Sequence, residues 1–172
     1  YGAHGGGPIA ARIAQAKVPV LVSAHWPVKP RDGDPDADEV LESLELRERA
    51  PATPKALADQ KVPFAFYSDG LASPAEFLAG VRKAVKAGLP ADAALRALTV
   101  DAARIFGVHD RLGSLEVGKV ANVVVVQGDL LGDAPQVKHV FVDGRRFDVP
   151  AETAPSGSPR GAGPRGGEGD RR

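Results

Sequence analysis

At 172 residues, 43% of them hydrophobic, the chain has room for one ordinary domain or for part of a larger one with an appendage. Lysine plus arginine (22) balance aspartate plus glutamate (22), so no global charge favours nucleic acid or an anionic membrane as partner. The absence of cysteine excludes disulfides, thiolate metal sites and a cysteine nucleophile, and no apolar run approaches the ~20 residues of a membrane-spanning helix.

The chain opens at Tyr1 in what reads as a strand end, and runs straight into a glycine loop holding His4, Gly5, Gly6 and Gly7. It also lacks methionine, and so is expected to be part of a longer protein. The sequence is compatible with either a cytoplasmic or a periplasmic location. Pro8 suits the first turn of a helix whose apolar stripe is Ile9, Ala10, Ile13 and Ala14. Residues 18–24 are short, apolar and rich in β-branched side chains, which predicts a buried strand ending at His25, Trp26 and Pro27. Residues 30–38 form a polar, acidic loop. A calcium loop counted from Asp34 fails because its sixth position is Glu39 rather than glycine. A helix follows over 39–48, with Val40, Leu41, Leu44 and Leu46 on or near its buried side.

Residues 55–59 end another helix and deliver a second buried strand, 62–68, which stops at Asp69 and Gly70. Ser73, Pro74 and Glu76 combine a capping box with proline at the first helical position. The helix they start carries Phe77, Leu78, Val81, Ala84 and Val85 on its apolar face, turns Arg82, Lys83 and Lys86 outward, and stops at Gly88. Short helices over 89–98 and 100–106 follow. From Leu115 the grammar changes to a strand (120–126), a turn-rich connection (127–136) and a hairpin whose arms, 137–142 and 145–147, flank Asp143 and Gly144. Alternation of helix and buried strand before residue 70 predicts an α/β fold with parallel strands. Residues 115–149 read as an antiparallel module, and residues 150–172, almost free of groups to bury, as a disordered tail.

Asp69 is the most informative position, because active sites of parallel α/β folds lie at the C-terminal ends of strands, although Asp-Gly is also a good turn pair. His25 and Trp26 end the preceding strand in the same way. The imidazole there has the chemistry to bind metal or substrate, and the indole to wall a pocket, while a packed tryptophan beside a partly exposed histidine is the simpler arrangement. His4 lies in a loop whose glycines allow close approach of a ligand, yet the spacing is that of neither a dinucleotide nor a phosphate loop. His109 and His139 have no metal-ligand spacing and read as structural.

Together these pieces resemble the amidohydrolase superfamily, in particular its imidazolonepropionase-like metal-dependent hydrolases. Residues 62–69 look like the eighth barrel strand ending in its active-site aspartate. Residues 87–90, 94–99 and 102–107 look like the helical passage after the barrel. Residues 113–125 are similar to the segment that returns to the small β domain, with Asn122 where the family usually has aspartate, and residues 137–145 resemble the closing strand pair. The resemblance implies the last units of a (β/α)8 barrel over residues 1–114, the C-terminal strands of a composite β-sandwich over 115–149, and one or two divalent metal ions, often zinc. It gives Asp69 the role of metal ligand and proton shuttle, while most other ligands would precede this chain. Many relatives carry a histidine ligand where this chain has Tyr1, with His4 three residues later; either His4 serves in its place or that ligand is absent, as in some divergent relatives. The expected activity is hydrolysis of non-peptide carbon–nitrogen bonds in small, cyclic amide-like molecules, with Asp69 catalytic, Asp69 and His4 as metal ligands, and His25 and Trp26 against the substrate. A homo-oligomer is compatible with this reading, and a non-catalytic barrel relative that binds a small molecule or a partner is the rival.

Ordering a residue costs ~1–2 kcal/mol of backbone entropy, which the tail's composition cannot offset. Limited proteolysis should therefore remove residues beyond about Pro150 and leave residues 123–126 intact. Equal protection of the two would contradict this.

Overall fold

Proline marks the start of several helices and glycine the end of the longest, Pro74–Lys86. The computed structural model describes residues 3–29, 39–132 and 135–149. Tyr1, the acidic loop at 30–38 and the tail from residue 150 lie outside the described residues. Pro8 sits in a 3-10 turn, Gly7–Ile9, that leads into α1 (Ala10–Ala16) and then β1 (Val20–Ser23). Helix α2 (Leu41–Arg49) continues through a second 3-10 turn, Ala50–Ala52, into α3 (Thr53–Asp59) and β2 (Phe64–Tyr67). Helices α4 (Pro74–Lys86), α5 (Ala91–Leu98) and α6 (Val100–Ile105) precede β3 (Val123–Gln127), β4 (Gln136–Val142) and β5 (Arg145–Phe147). Among the described residues no helix is long and apolar enough to cross a membrane.

Strands β1 and β2 pair in parallel, from Val20 opposite Phe64 to Ser23 opposite Tyr67. Helical chain separates them, as a parallel connection requires. The backbone ladder extends past both ends, with Val20 N–H donating to the Pro63 carbonyl (2.9 Å) and Ala24 N–H to that of Tyr67 (3.0 Å). Val22, Phe64, Ala65 and Phe66 are buried, and the strands join one core with Trp26, Leu57, Val81, Ala84 and Leu89. The run of β-branched and aromatic side chains thus reflects a sheet covered on both faces.

At the start of α4 the Ser73 hydroxyl accepts the Glu76 N–H (3.1 Å), while the Glu76 carboxylate accepts the N–H of Ala72 rather than of the cap itself (2.9 Å). The helix stops at Gly88, whose φ of +103° lets the Leu89 N–H reach back to the Ala84 carbonyl (3.1 Å). Arg82, expected to face out, is half-buried and donates to the Leu130 carbonyl (3.1 Å), which ties α4 to the connection after β3.

Expectations for five apolar side chains fail. Val40 and Leu41 are each 68% exposed and Leu44 and Leu46 are also exposed, because positions 41, 44 and 46 do not share one side of a 3.6-residue helix. Helix α2 is instead anchored at its C-terminal end by the buried Ala50 and Pro51. Ile9, caught in the 3-10 turn rather than the helix, is exposed while Ala10 is buried.

Strands β3, β4 and β5 form an antiparallel sheet in that order, with an irregularity between Val125 and Val126. The hairpin turns at Asp143 and Gly144, whose φ values of +51° and +75° make a type I′ turn. The first strand begins at Val123 rather than residue 120 because the residues before it brace that turn. The Asn122 Oδ1 accepts the Asp143 N–H (2.8 Å), and the Ala121 carbonyl accepts that of Gly144 (3.0 Å). An aspartate would offer the same acceptor, so the departure at Asn122 preserves the contact. No described residue between 115 and 149 is buried.

Gly144→Val forces a β-branched side chain into the left-handed region, at a cost of about 1–2 kcal/mol. Amide protection in β4 and β5 should fall accordingly, whereas Gly144→Asn, which tolerates this conformation, should keep most of it. Unchanged hydrogen exchange in the valine variant would refute the turn assignment.

Candidate active site

Two parallel strands that end together bring whatever follows them onto one rim. β1 is followed by Ala24 and His25, and β2 by Ser68 and Asp69. The two rim residues meet directly: the His25 Nδ1–H donates to the backbone carbonyl of Asp69 at 3.2 Å. A carbonyl can only accept, so Nδ1 carries a proton, and in the matching neutral tautomer the lone pair is on Nε2. Both side chains are exposed, as a rim that receives a ligand requires.

Asp69 and Gly70 form the centre of a tight turn, with φ values of +49° and +78° and the Leu71 N–H donating to the Ser68 carbonyl (3.0 Å). This is again a type I′ turn. Asp-Gly is therefore both a turn pair and a means of lifting a carboxylate out of the strand end.

The backbone of His25 is held by Ser23, a fully buried residue that the sequence analysis passed over. The Ser23 hydroxyl accepts the His25 N–H (3.0 Å) and donates to the His25 carbonyl (3.3 Å). On the other side Trp26 is buried, and its Nε1–H donates to the Gly80 carbonyl at 2.8 Å. Gly80 had a legible signal, an isolated glycine inside a helical pattern. A Cβ there would lie 2.1 Å from the Ala24 carbonyl oxygen, so α4 can cross the strand end this closely only at glycine.

His4 reaches the same place from the glycine loop. Its ring is tilted at 46° against Trp26 with centroids 5.5 Å apart, and its own carbonyl accepts the hydroxyl of the buried Thr53 (2.8 Å). The Nε2 of His4 is shut off from solvent and has no hydrogen-bond partner. Burial of the ring lowers its pKa, with the neighbouring His25 adding to the effect. A hydrogen bond to the Ser23 backbone and the Asp69 charge oppose it. A cavity of about 300 Å³ opens beside His4, between the glycine loop and Glu42, Glu45 and Thr53.

The four residues singled out in the sequence thus gather at one end of the sheet, with Trp26 as floor rather than open wall. Among the described residues no group of three or more histidine, aspartate or glutamate side chains is disposed to hold a metal ion. The available donors, an unpartnered imidazole nitrogen and an exposed carboxylate, are nonetheless of the kind zinc takes. A larger cavity, about 610 Å³, lies at the other end of the strands beside Pro19, Val62, Phe64, Arg96 and Arg104. It is at the wrong end for the chemistry of a parallel α/β sheet, and Asp101 already engages both arginines.

The protein-family model described as "Amidohydrolase family" matches residues 10–147. Amidohydrolase tasK of Hapsidospora irregularis is 31% identical over 137 residues, which make up 77% of this chain and 14% of that protein. An amidohydrolase from Thermotoga maritima MSB8 has a similar structure, with a TM-score of 0.68 and 28% identity over 86% of this chain and 36% of that one. A zinc-bound adenosine deaminase from Xanthomonas campestris gives a TM-score of 0.53 at 27% identity, over 81% of this chain and 34% of the other. The chain thus spans about a third or less of the proteins it matches.

Burial that disfavours the His4 imidazolium has a consequence for stability. The native ring titrates below 6.5, the ordinary value, so as pH falls the unfolded chain takes up this proton first. His4 then begins to cost stability as pH drops through 6.5, and the cost is complete below the native pKa. A proton NMR titration should give His4 a midpoint under 6.5, and His4→Gln should remove its share of the acid destabilisation. A midpoint at or above 6.5 would contradict the buried placement.

Proposed function

Since the chain belongs to the amidohydrolase family, we propose that it is the C-terminal part of a metal-dependent hydrolase with Asp69 at the centre of its chemistry. On this reading β1 and β2 are the seventh and eighth strands of a (β/α)8 barrel, and β3, β4 and β5 belong to the small composite β domain. The reaction is hydrolysis of a non-peptide carbon–nitrogen bond in a cyclic amide-like small molecule. The observation that carries it is the junction of His25 and Asp69 at the C-terminal ends of two parallel strands, 3.2 Å apart, with His4 in the field of both.

Asp69 and His4 would hold a divalent metal, for which zinc is our choice, together with ligands from the rest of the protein. The donor types fit, since the buried Nε2 of His4 has no other partner. When bound, such a metal supplies a nucleophile at neutral pH by acidifying water. The Asp69 carboxylate, raised on its turn and exposed, would accept a proton from the attacking water and return it to the leaving nitrogen. With its Nδ1 on the Asp69 carbonyl, His25 would turn its Nε2 lone pair to the substrate, and Trp26, packed against the His4 ring, would support it from below. The nearly complete burial of Trp26 supports a role in shaping the pocket rather than in touching the substrate.

Asp69→Asn keeps the size and removes the charge and the proton-accepting oxygen. In the complete protein it should cut turnover by on the order of 10²–10⁴, the usual worth of a positioned acid–base group, with the fold intact by circular dichroism. The assay measures metal content and hydrolysis together. Full activity in the variant would remove Asp69 from catalysis, and a wild type with neither metal nor hydrolysis would favour a non-catalytic binding protein.

A further inference from the structure

An exposed histidine normally has little to fix its ring, because one surface hydrogen bond competes with water and with side-chain entropy. His25 differs because its backbone is held on both sides. The fully buried Ser23 grips its N–H and carbonyl, and the next residue, Trp26, is buried and anchored to Gly80. The parallel ladder runs one bond beyond the strands, from Ala24 N–H to the Tyr67 carbonyl, so the two strand ends cannot slide past each other. The ring therefore projects from a rigid base, and what it meets is the Asp69 carbonyl rather than the Asp69 carboxylate.

That choice of acceptor matters. Asp69 is one of the few non-glycine residues with positive φ, in a turn whose following residue is a glycine and therefore permissive. Direction of the Asp69 carbonyl reports ψ at that residue, and φ and ψ together set the Cα–Cβ direction from which χ1 and χ2 aim the carboxylate. A donor on the carbonyl leaves both carboxylate oxygens free for a ligand while restraining the backbone that carries them.

We propose that His25 is the positioning residue of Asp69: its Nδ1–H, clamped to the Asp69 carbonyl, holds the turn in the conformation that aims the carboxylate. This rests on the functional reading above only for what Asp69 is aimed at. It assigns the two ring nitrogens different work, Nδ1 structural and Nε2 open to the substrate side.

Asparagine and glutamine separate these roles, since the asparagine amide falls near the position of Nδ1 and the glutamine amide near that of Nε2. The probe is zinc alone, titrated into the metal-free complete protein. His25→Ala and His25→Gln should weaken zinc binding by roughly 10–100-fold, the usual effect of losing an outer-shell partner, and His25→Asn by no more than about threefold. A second readout needs no metal. Nitrogen-15 NMR at about pH 8, where histidine is neutral, should show the proton of His25 on Nδ1. The Asp69 carbonyl carbon should shift in the alanine and glutamine variants and stay near its wild-type position in the asparagine variant. A proton on Nε2, or zinc affinity retained by glutamine and lost by asparagine, would overturn the proposal. If the wild type binds no zinc, the functional reading fails, and the tautomer and the carbonyl shift alone decide for or against the clamp.

Discussion

Parallel pairing of β1 with β2, in a register that sets Val20 against Phe64 and Ser23 against Tyr67, is the constraint from which the candidate site follows. Side chains in a strand alternate between faces, so a slip of one residue would turn each of them to the other face of a sheet covered on both sides and carry His25 away from Asp69. The register is held where slipping costs most. Val22, opposite Phe66, and Ala65, opposite Leu21, are fully buried, and backbone hydrogen bonds continue past the strands at both ends. The site is thus as precise as the core beneath it.

Close packing supplies the second condition. Helix α4 passes so near the end of β1 that only glycine fits at position 80, and the Gly80 carbonyl exposed by that approach accepts the Trp26 indole. Trp26 then carries the His4 ring. A mid-helix glycine costs about 1 kcal/mol relative to alanine, and here the loss is offset by a buried hydrogen bond and by the contact itself. Core, helix and rim are therefore one mechanical unit, with Ser23 and Thr53, the two buried polar residues among those described, each tied to a histidine of the site.

Much of this was legible in the sequence where a residue type has a single physical use. The capping box at Ser73 and Glu76, the stop at Gly88 and the turn at Asp143 and Gly144 are local, and each appears close to where it was expected. Both buried strands were readable as short β-branched and aromatic runs, and their ends gave Asp69 and His25. What stayed hidden depends on contacts distant in sequence. Nothing local says that His25 reaches a carbonyl 44 residues away, whereas the Ser23 hydroxyl bonding His25, two residues on, is a local turn of a kind serine favours. Helix α2 misled for the opposite reason: leucines suggested burial, but their spacing puts no continuous stripe on one side. Arg82 was read as a solvated charge, although its partner, the Leu130 carbonyl, comes from the distant β module.

The central claim is that Asp69 is aimed at a metal ion by a backbone locked into the rim of a parallel sheet. Its most direct test is a crystal structure of the complete protein grown with zinc, with anomalous data collected on both sides of the zinc edge. The account predicts an anomalous peak within about 2.0–2.2 Å of an Asp69 carboxylate oxygen, the ordinary zinc–carboxylate distance, while the His25 Nδ1 stays on the Asp69 carbonyl. Zinc bound elsewhere, with the Asp69 carboxylate turned away from it into solvent, would contradict the account.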